Sequence, residues 1–169
     1  MHSPITFDGI TLYLAPRTGL MTHLLPILAE WVCQDEINVV DAAFLFNPYP
    51  LAGYLAAHGH NPQPTLQHLH IQRAFTCYQV EAMLSGLQPT SFPLVVLGLL
   101  MPFQDEAVNL AERRRLLMTC LSCLHPRETV LVAECHLNAP PALMELLRQA
   151  AHEVIEQVTP MTIEQMRLF

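Results

Sequence analysis

Residues Ala15 to Thr22, APRTGLMT, follow a short apolar run, Ile10 to Leu14, and lead into a leucine-rich one. Strand, small-residue loop and helix in that order are the setting in which backbone N–H groups and a helix N-terminus hold phosphate. The pattern for that chemistry is G-x-x-x-x-G-K-[ST]. Here Thr22 keeps the final hydroxyl, Ala15 and Leu20 replace the glycines, and Met21 stands in the lysine's place. No shift of frame restores the lysine, because all 8 basic residues are arginines. The segment reads as a phosphate-binding scaffold without its chemistry. Arg17, Thr18, Gly19 and Thr22 remain as candidates for a weak nucleotide contact, although a planar guanidinium is not a lysine point charge.

Other constellations are weaker. His58, His60, His68 and His70 form two H-x-H pairs. In a strand His68 and His70 would share a face and could offer two imidazoles to one metal. No acid or cysteine stands beside them in sequence, so a polar connection explains them better. Cys120 and Cys123 make a C-x-x-C inside a helical leucine pattern, where buried thiols fit better than a metal or redox pair. Arg113, Arg114 and Arg115 are the one basic cluster. On a helix they fan apart, which suits a solvated face paired with Glu112 more than a DNA or partner contact. Asp105 and Glu106 fit the first turn of a helix. Glu134 closes an apolar run. No nucleophile elbow or Ser-His-Asp arrangement accompanies these acids.

The elements that must position these residues alternate. Strands are expected at Ile10–Leu14, Ile37–Ala43, Leu69–Phe75, Pro93–Leu100 and Thr129–Cys135. Two more are expected at Glu153–Thr159 and Thr162–Leu168. Helices are expected from Leu20, over Leu51–His58 and Tyr78–Leu87, from Asp105 to about Leu124, and from Pro140 to near Ala151. PLVVLGLL and TVLVAEC are continuous apolar runs of the kind buried in parallel sheets. The pattern predicts one α/β domain over residues 1–169, with a mainly parallel sheet between two helical layers. Its ligand crevice would lie at the carboxyl ends of the strands.

Composition bounds the rest. The chain of 169 residues is 51% hydrophobic and 14% charged, against roughly 25% charged in an average domain. So much apolar surface calls for a sheet covered on both faces and for contact with another chain. The net charge of −7 argues against non-specific nucleic-acid binding by this chain alone. Its apolar stretches are too short to cross a bilayer, and Met1 to Gly9 has no secretory pattern. Five irregularly spaced cysteines suit a reducing cytoplasm.

Read in order, the segments resemble the ATPase core of the RecA-type recombinases and their paralogues, over about Gly9 to Thr159. Gly9–Leu14 is similar to the strand before their P-loop, and Val40–Pro48, VDAAFLFNP, to their second strand and turn. Arg73-Ala74-Phe75 with Gln79 is similar to the third strand and following helix. Pro93–Leu100 falls where their Walker B strand falls, Leu110–Arg113 resembles the helix after the first DNA loop, and Thr129–Cys135 the next core strand. The resemblance implies a three-layer RecA-like P-loop NTPase fold. It also implies which positions should do chemistry, and there the chain departs. Met21 replaces the lysine, Ala43 the water-activating glutamate, and Gly98 the Walker B acid, while the polar switch position falls near Cys135. Phosphoryl transfer needs the positive charge, the metal-holding acid and the water-orienting group together.

The resemblance therefore implies a pseudo-ATPase: a non-catalytic subunit, without cofactor or metal, acting through a partner in DNA recombination or repair. That partner would be another RecA-like protein or a second copy, and DNA would be met through it. Only HLNAP, residues 136–140, stands where the family has a long basic DNA loop. The family's N-terminal domain and linker have no counterpart before Gly9, which makes a limited assembly the expectation rather than a filament. Two alternatives stay open: a module that binds nucleotide without hydrolysing it, and an unrelated metal protein using the histidines.

Overall fold

The apolar runs form a sheet of six strands in the computed structural model, which describes residues 8–88, 91–135 and 139–157. The strands are β1 (Gly9–Ala15), β2 (Ile37–Asp41), β3 (Leu69–Arg73), β4 (Leu94–Leu97), β5 (Thr129–Cys135) and β6 (Glu153–Glu156). Their order is β3-β2-β4-β5-β1-β6, and every pairing is parallel. The helices are α1 (Arg17–Gln34), α2 (Pro48–Ala57), the single turn α3 (Pro62–Thr65), α4 (Cys77–Gly86), α5 (Leu110–Leu124) and α6 (Pro141–Ala150).

Successive side chains of a strand face opposite ways, so each inner strand feeds two cores. Ile10, Leu12 and Leu14 of β1, with Val96 and Val132, pack under α4, α5 and α6. Tyr13 and Ala15, with Val95 and Leu131, pack under α1 and α2. This explains the continuous apolar runs of β4 and β5: both faces are covered. The expected α/β class, parallel sheet and two helical layers are present. No helix among the described residues is long and apolar enough to cross a membrane.

Helix α1 carries Pro26 in its interior, a residue that costs a helix about 3 kcal/mol. Leu20, Leu24, Ile27, Leu28, Trp31 and Val32 are buried along the same helix. At about 1.5–3 kcal/mol for each large apolar side chain, burial outweighs the proline.

Several boundaries differ from expectation. Strand β4 stops at Leu97 because Gly98 turns the chain with φ 64°. Helix α5 starts at Leu110, not Asp105. Asn109 caps it by accepting the Glu112 N–H at 2.9 Å, whereas Asp105 accepts the Ala107 N–H at 3.0 Å in a preceding turn. The expected loop from Ala15 to Gly19 is one residue, Pro16, and Arg17 already belongs to α1. The second closing strand, Thr162–Leu168, and most of the HLNAP loop lie outside the described residues.

Candidate functional site

The crevice forms where the parallel-sheet rule puts it, across the carboxyl ends of β1, β2, β4 and β5. It is a cavity of about 160 Å³ whose wall includes Arg17, Ala43, Gly98, Gln104, Glu134 and Cys135. Five residues singled out in the sequence, Arg17, Ala43, Gly98, Glu134 and Cys135, thus meet at one place. Small-molecule sites typically enclose about 300–1,000 Å³, so this space is small for a nucleotide.

At the β1 end of the crevice the chain passes straight into α1. The Pro16 carbonyl accepts the N–H groups of Gly19 and Leu20, both at 3.0 Å. Those donors close the first turn of α1 instead of pointing at a ligand. Thr18 is exposed, and Thr22 is exposed more than a turn further along the helix. Met21 packs against the core beneath α1 and α2. Arg17 reaches across the ends of β5 and β4 and donates from Nη2 to the Ala43 carbonyl at 3.3 Å.

At the β2 and β4 ends, the two positions where the resemblance puts acids touch each other. Gly98 has φ 64°, and a Cβ built on it would lie 2.1 Å from the Ala43 Cβ and 3.3 Å from its Cα. On that side Gly98 is packed against the Ala43 methyl and backbone.

The two buried acids at the strand ends serve the fold. Asp41 is fully buried at the end of β2. Its carboxylate accepts N–H groups from Ala43 at 3.3 Å, Leu45 at 3.1 Å and Phe46 at 3.0 Å, with the Arg73 guanidinium 3.7 Å away. Arg73 also donates to the Phe46 carbonyl at 3.1 Å. This network holds Phe44 at φ 55°, a conformation that L-residues with side chains seldom take. Glu134 accepts the Leu100 N–H at 2.7 Å and so anchors the segment after β4. Burial pushes its carboxyl up to about 8, with the Leu100 bond opposing.

Beside the crevice the strand-end loops expose apolar side chains. Phe44 is 50% exposed and Phe75 66%, and their rings lie 4.8 Å apart at 50°. Tyr78 in the first turn of α4 and Met101 after β4 are exposed on the same edge of the sheet. Sequence reasoning missed this rim. Its signal was present: aromatic residues three positions after the acid of β2 and two after the arginine of β3, where polar turn residues are usual.

The other candidates do not converge. His68 Nδ1 bonds the Val32 carbonyl at 3.2 Å, while His70 Nε2 meets the Glu36 carboxylate at 3.2 Å. No group of three or more metal-ligating side chains occurs among the described residues. Arg113 donates to the Phe103 carbonyl at 3.0 Å. Arg115 grips Glu112 through two bonds of 2.8 and 2.7 Å, and Arg114 is exposed. The three arginines therefore have three different surroundings. Cys120 is buried, its thiol pushed up to about 12 by that burial, and all five cysteines are free. No protein-family model matches the chain, and no curated protein matches it either.

Proposed function

We propose that this chain is a non-catalytic RecA-like subunit, a scaffold that serves DNA recombination or repair through another RecA-like protein or a second copy of itself. One observation carries the proposal: Gly98 and Ala43, where the resemblance puts the metal-holding and water-activating acids, are packed so closely that a side chain on Gly98 would collide with the Ala43 Cβ. The one-residue connection at Pro16 supports the same conclusion, since it removes the loop that would wrap a phosphate. The segments that carry the resemblance also fall in sequence order on β1, the end of β2, the end of β3, β4, the start of α5 and β5. The exposed rim of Phe44, Phe75, Tyr78 and Met101 supplies a face for a partner. The recombination role rests on resemblance alone. DNA contact comes through the partner, in keeping with the net charge of −7. The proposal puts the chain in the cytoplasm, where free thiols persist.

Binding of nucleotide without hydrolysis is disfavoured by the small cavity, and a histidine metal site by the separate partners of His68 and His70. Nucleotide titration and sedimentation over a wide concentration range, with a DNA-binding assay at moderate salt, test the proposal. The expected result is no ATP turnover, no saturable nucleotide binding, and association with itself or an added RecA-like protein. Metal-dependent turnover that disappears in Thr22→Ala would overturn it. So would a monomer that binds DNA tightly alone.

A further inference from the structure

Phe44 and Phe75 leave half or more of their surface in solvent, with their rings 4.8 Å apart, and Tyr78 and Met101 lengthen the apolar strip. Phe44 is presented from a backbone at φ 55°. The Asp41 carboxylate holds the next two N–H groups, and Arg73 holds the Phe46 carbonyl. Backbone strain of this kind persists only where the surrounding structure enforces it, and it clusters at binding sites. An exposed apolar strip built on such a backbone calls for an apolar occupant.

The path of the chain brings one to the same end of the sheet. Strand β6 runs parallel to β1, and the Gln157 N–H donates to the Leu14 carbonyl at 2.8 Å. The chain therefore leaves β6 at the carboxyl ends of the strands, where the rim lies. Residues 158–169, VTPMTIEQMRLF, follow and lie outside the described residues. Val158, Met161, Ile163, Met166, Leu168 and Phe169 make half of this segment apolar. In the sheet order Met101 follows a strand three places from β6, and Phe44 and Phe75 follow strands four and five places away. Neighbouring strands are about 4.8 Å apart, so the rim extends from about 14 to about 24 Å beyond the end of β6. An extended chain advances about 3.3 Å per residue, so the segment spans up to roughly 40 Å. Its one cation, Arg167, has Asp105 and Glu106, exposed just beyond Met101, within the same reach. A tethered segment also competes with free partners at an effective concentration of about millimolar.

We propose that residues 158–169 fold back across the strand ends and dock their apolar side chains on the Phe44, Phe75 and Met101 rim of the same chain. The inference rests on the rim and the path of the chain, not on the RecA-like reading. A partner that uses the rim must first displace the segment.

The test uses the full chain with p-benzoylphenylalanine in place of Phe75, an exposed side chain. Irradiation is followed by peptide mass spectrometry, and a mixture of light and nitrogen-15-labelled chains separates cross-links within a chain from those between chains. The expected result is cross-linking within one chain to Met161, Met166 or their neighbours, with a yield independent of protein concentration. That yield should exceed at least fivefold the yield from the same photoprobe at Met118, an exposed position in the middle of α5. Ile163→Asp combined with Leu168→Asp should lower it at least fivefold, and Thr159→Ser should leave it unchanged. A yield no higher than at Met118, cross-links found only between chains, or a yield that survives the double substitution would overturn the proposal.

Discussion

Gly98→Ala tests how the crevice is closed. The substitution puts a side chain on a backbone with φ 64°, which costs about 1–2 kcal/mol. Its Cβ would lie 2.1 Å from the Ala43 Cβ. No real pair of carbons sits so close, so the strand ends must part, at a typical overpacking cost of about 1–3 kcal/mol. The unfolded chain loses freedom when glycine becomes alanine, which returns about 0.4–1 kcal/mol. The net expectation is a loss of roughly 1–5 kcal/mol, equivalent to a Tm lower by about 6–12 °C at the middle of that range. Two effects contribute, and Ala43→Gly separates them. Removing the Ala43 methyl relieves the 2.1 Å collision and leaves contacts of 3.3 and 3.4 Å to the Ala43 Cα and N, while the strained φ belongs to residue 98 itself and is untouched. Urea unfolding of the two single variants and the double variant should therefore give a coupling of about 1–2 kcal/mol, the double being more stable than the sum predicts. Additivity within about 0.5 kcal/mol, or a Gly98→Ala protein as stable as the parent, would refute the contact as the cause of the closed crevice.

Met21→Lys should remain without ATPase activity in a phosphate-release assay, because Ala43 and Gly98 still supply neither metal nor water with a partner. Steady turnover by that variant would mean the acids have been misplaced. Glu134 gives a pH signature. Its folded carboxyl is raised by burial to about 8 from the ordinary 4.5, so between these pH values the folded state holds a proton that the unfolded state has released. Stability contributed by this group is present below about pH 4.5 and lost as pH rises toward 8. Denaturation midpoints of Glu134→Gln and the parent should diverge over that window in favour of glutamine, and parallel pH profiles would contradict this. Asp41→Ala should cost about 3–5 kcal/mol by chemical denaturation, since three N–H groups and Arg73 lose their anion. A loss below about 1 kcal/mol would show that the β2 turn holds without it.

The fold class was legible because parallel-sheet burial leaves a direct mark on sequence. Val130, Leu131, Val132 and Ala133 are all apolar because each faces a helical layer on one side or the other. Element ends were less legible, since several residues compete to be the cap. Asp105 and Asn109 both offer a side-chain oxygen, and Asn109 prevails with Glu112 as the third helical residue. At the site, sequence identified Arg17, Ala43 and Gly98 as positions of interest but not their meeting. The last two are far apart in the chain and touch only because β2 and β4 are neighbours. Glu134 stood out as an acid closing an apolar strand, whereas its bond to Leu100 depends on the turn that Gly98 makes.

The single residue between β1 and α1 has a consequence for any attempt to engineer ligand binding here. Side-chain exchange alters what a loop offers, but it cannot lengthen a connection that ends at Pro16 and has already entered a helix at Arg17. A cradle around an anion requires several consecutive residues free to aim their amides inward. In mutational terms the missing coordinate is insertion. A library that varies all twenty amino acids at every position from Ala15 to Thr22 would explore composition while holding contour length fixed. Variants with a few added residues after Ala15, rich in glycine, reach geometries that such a library never samples.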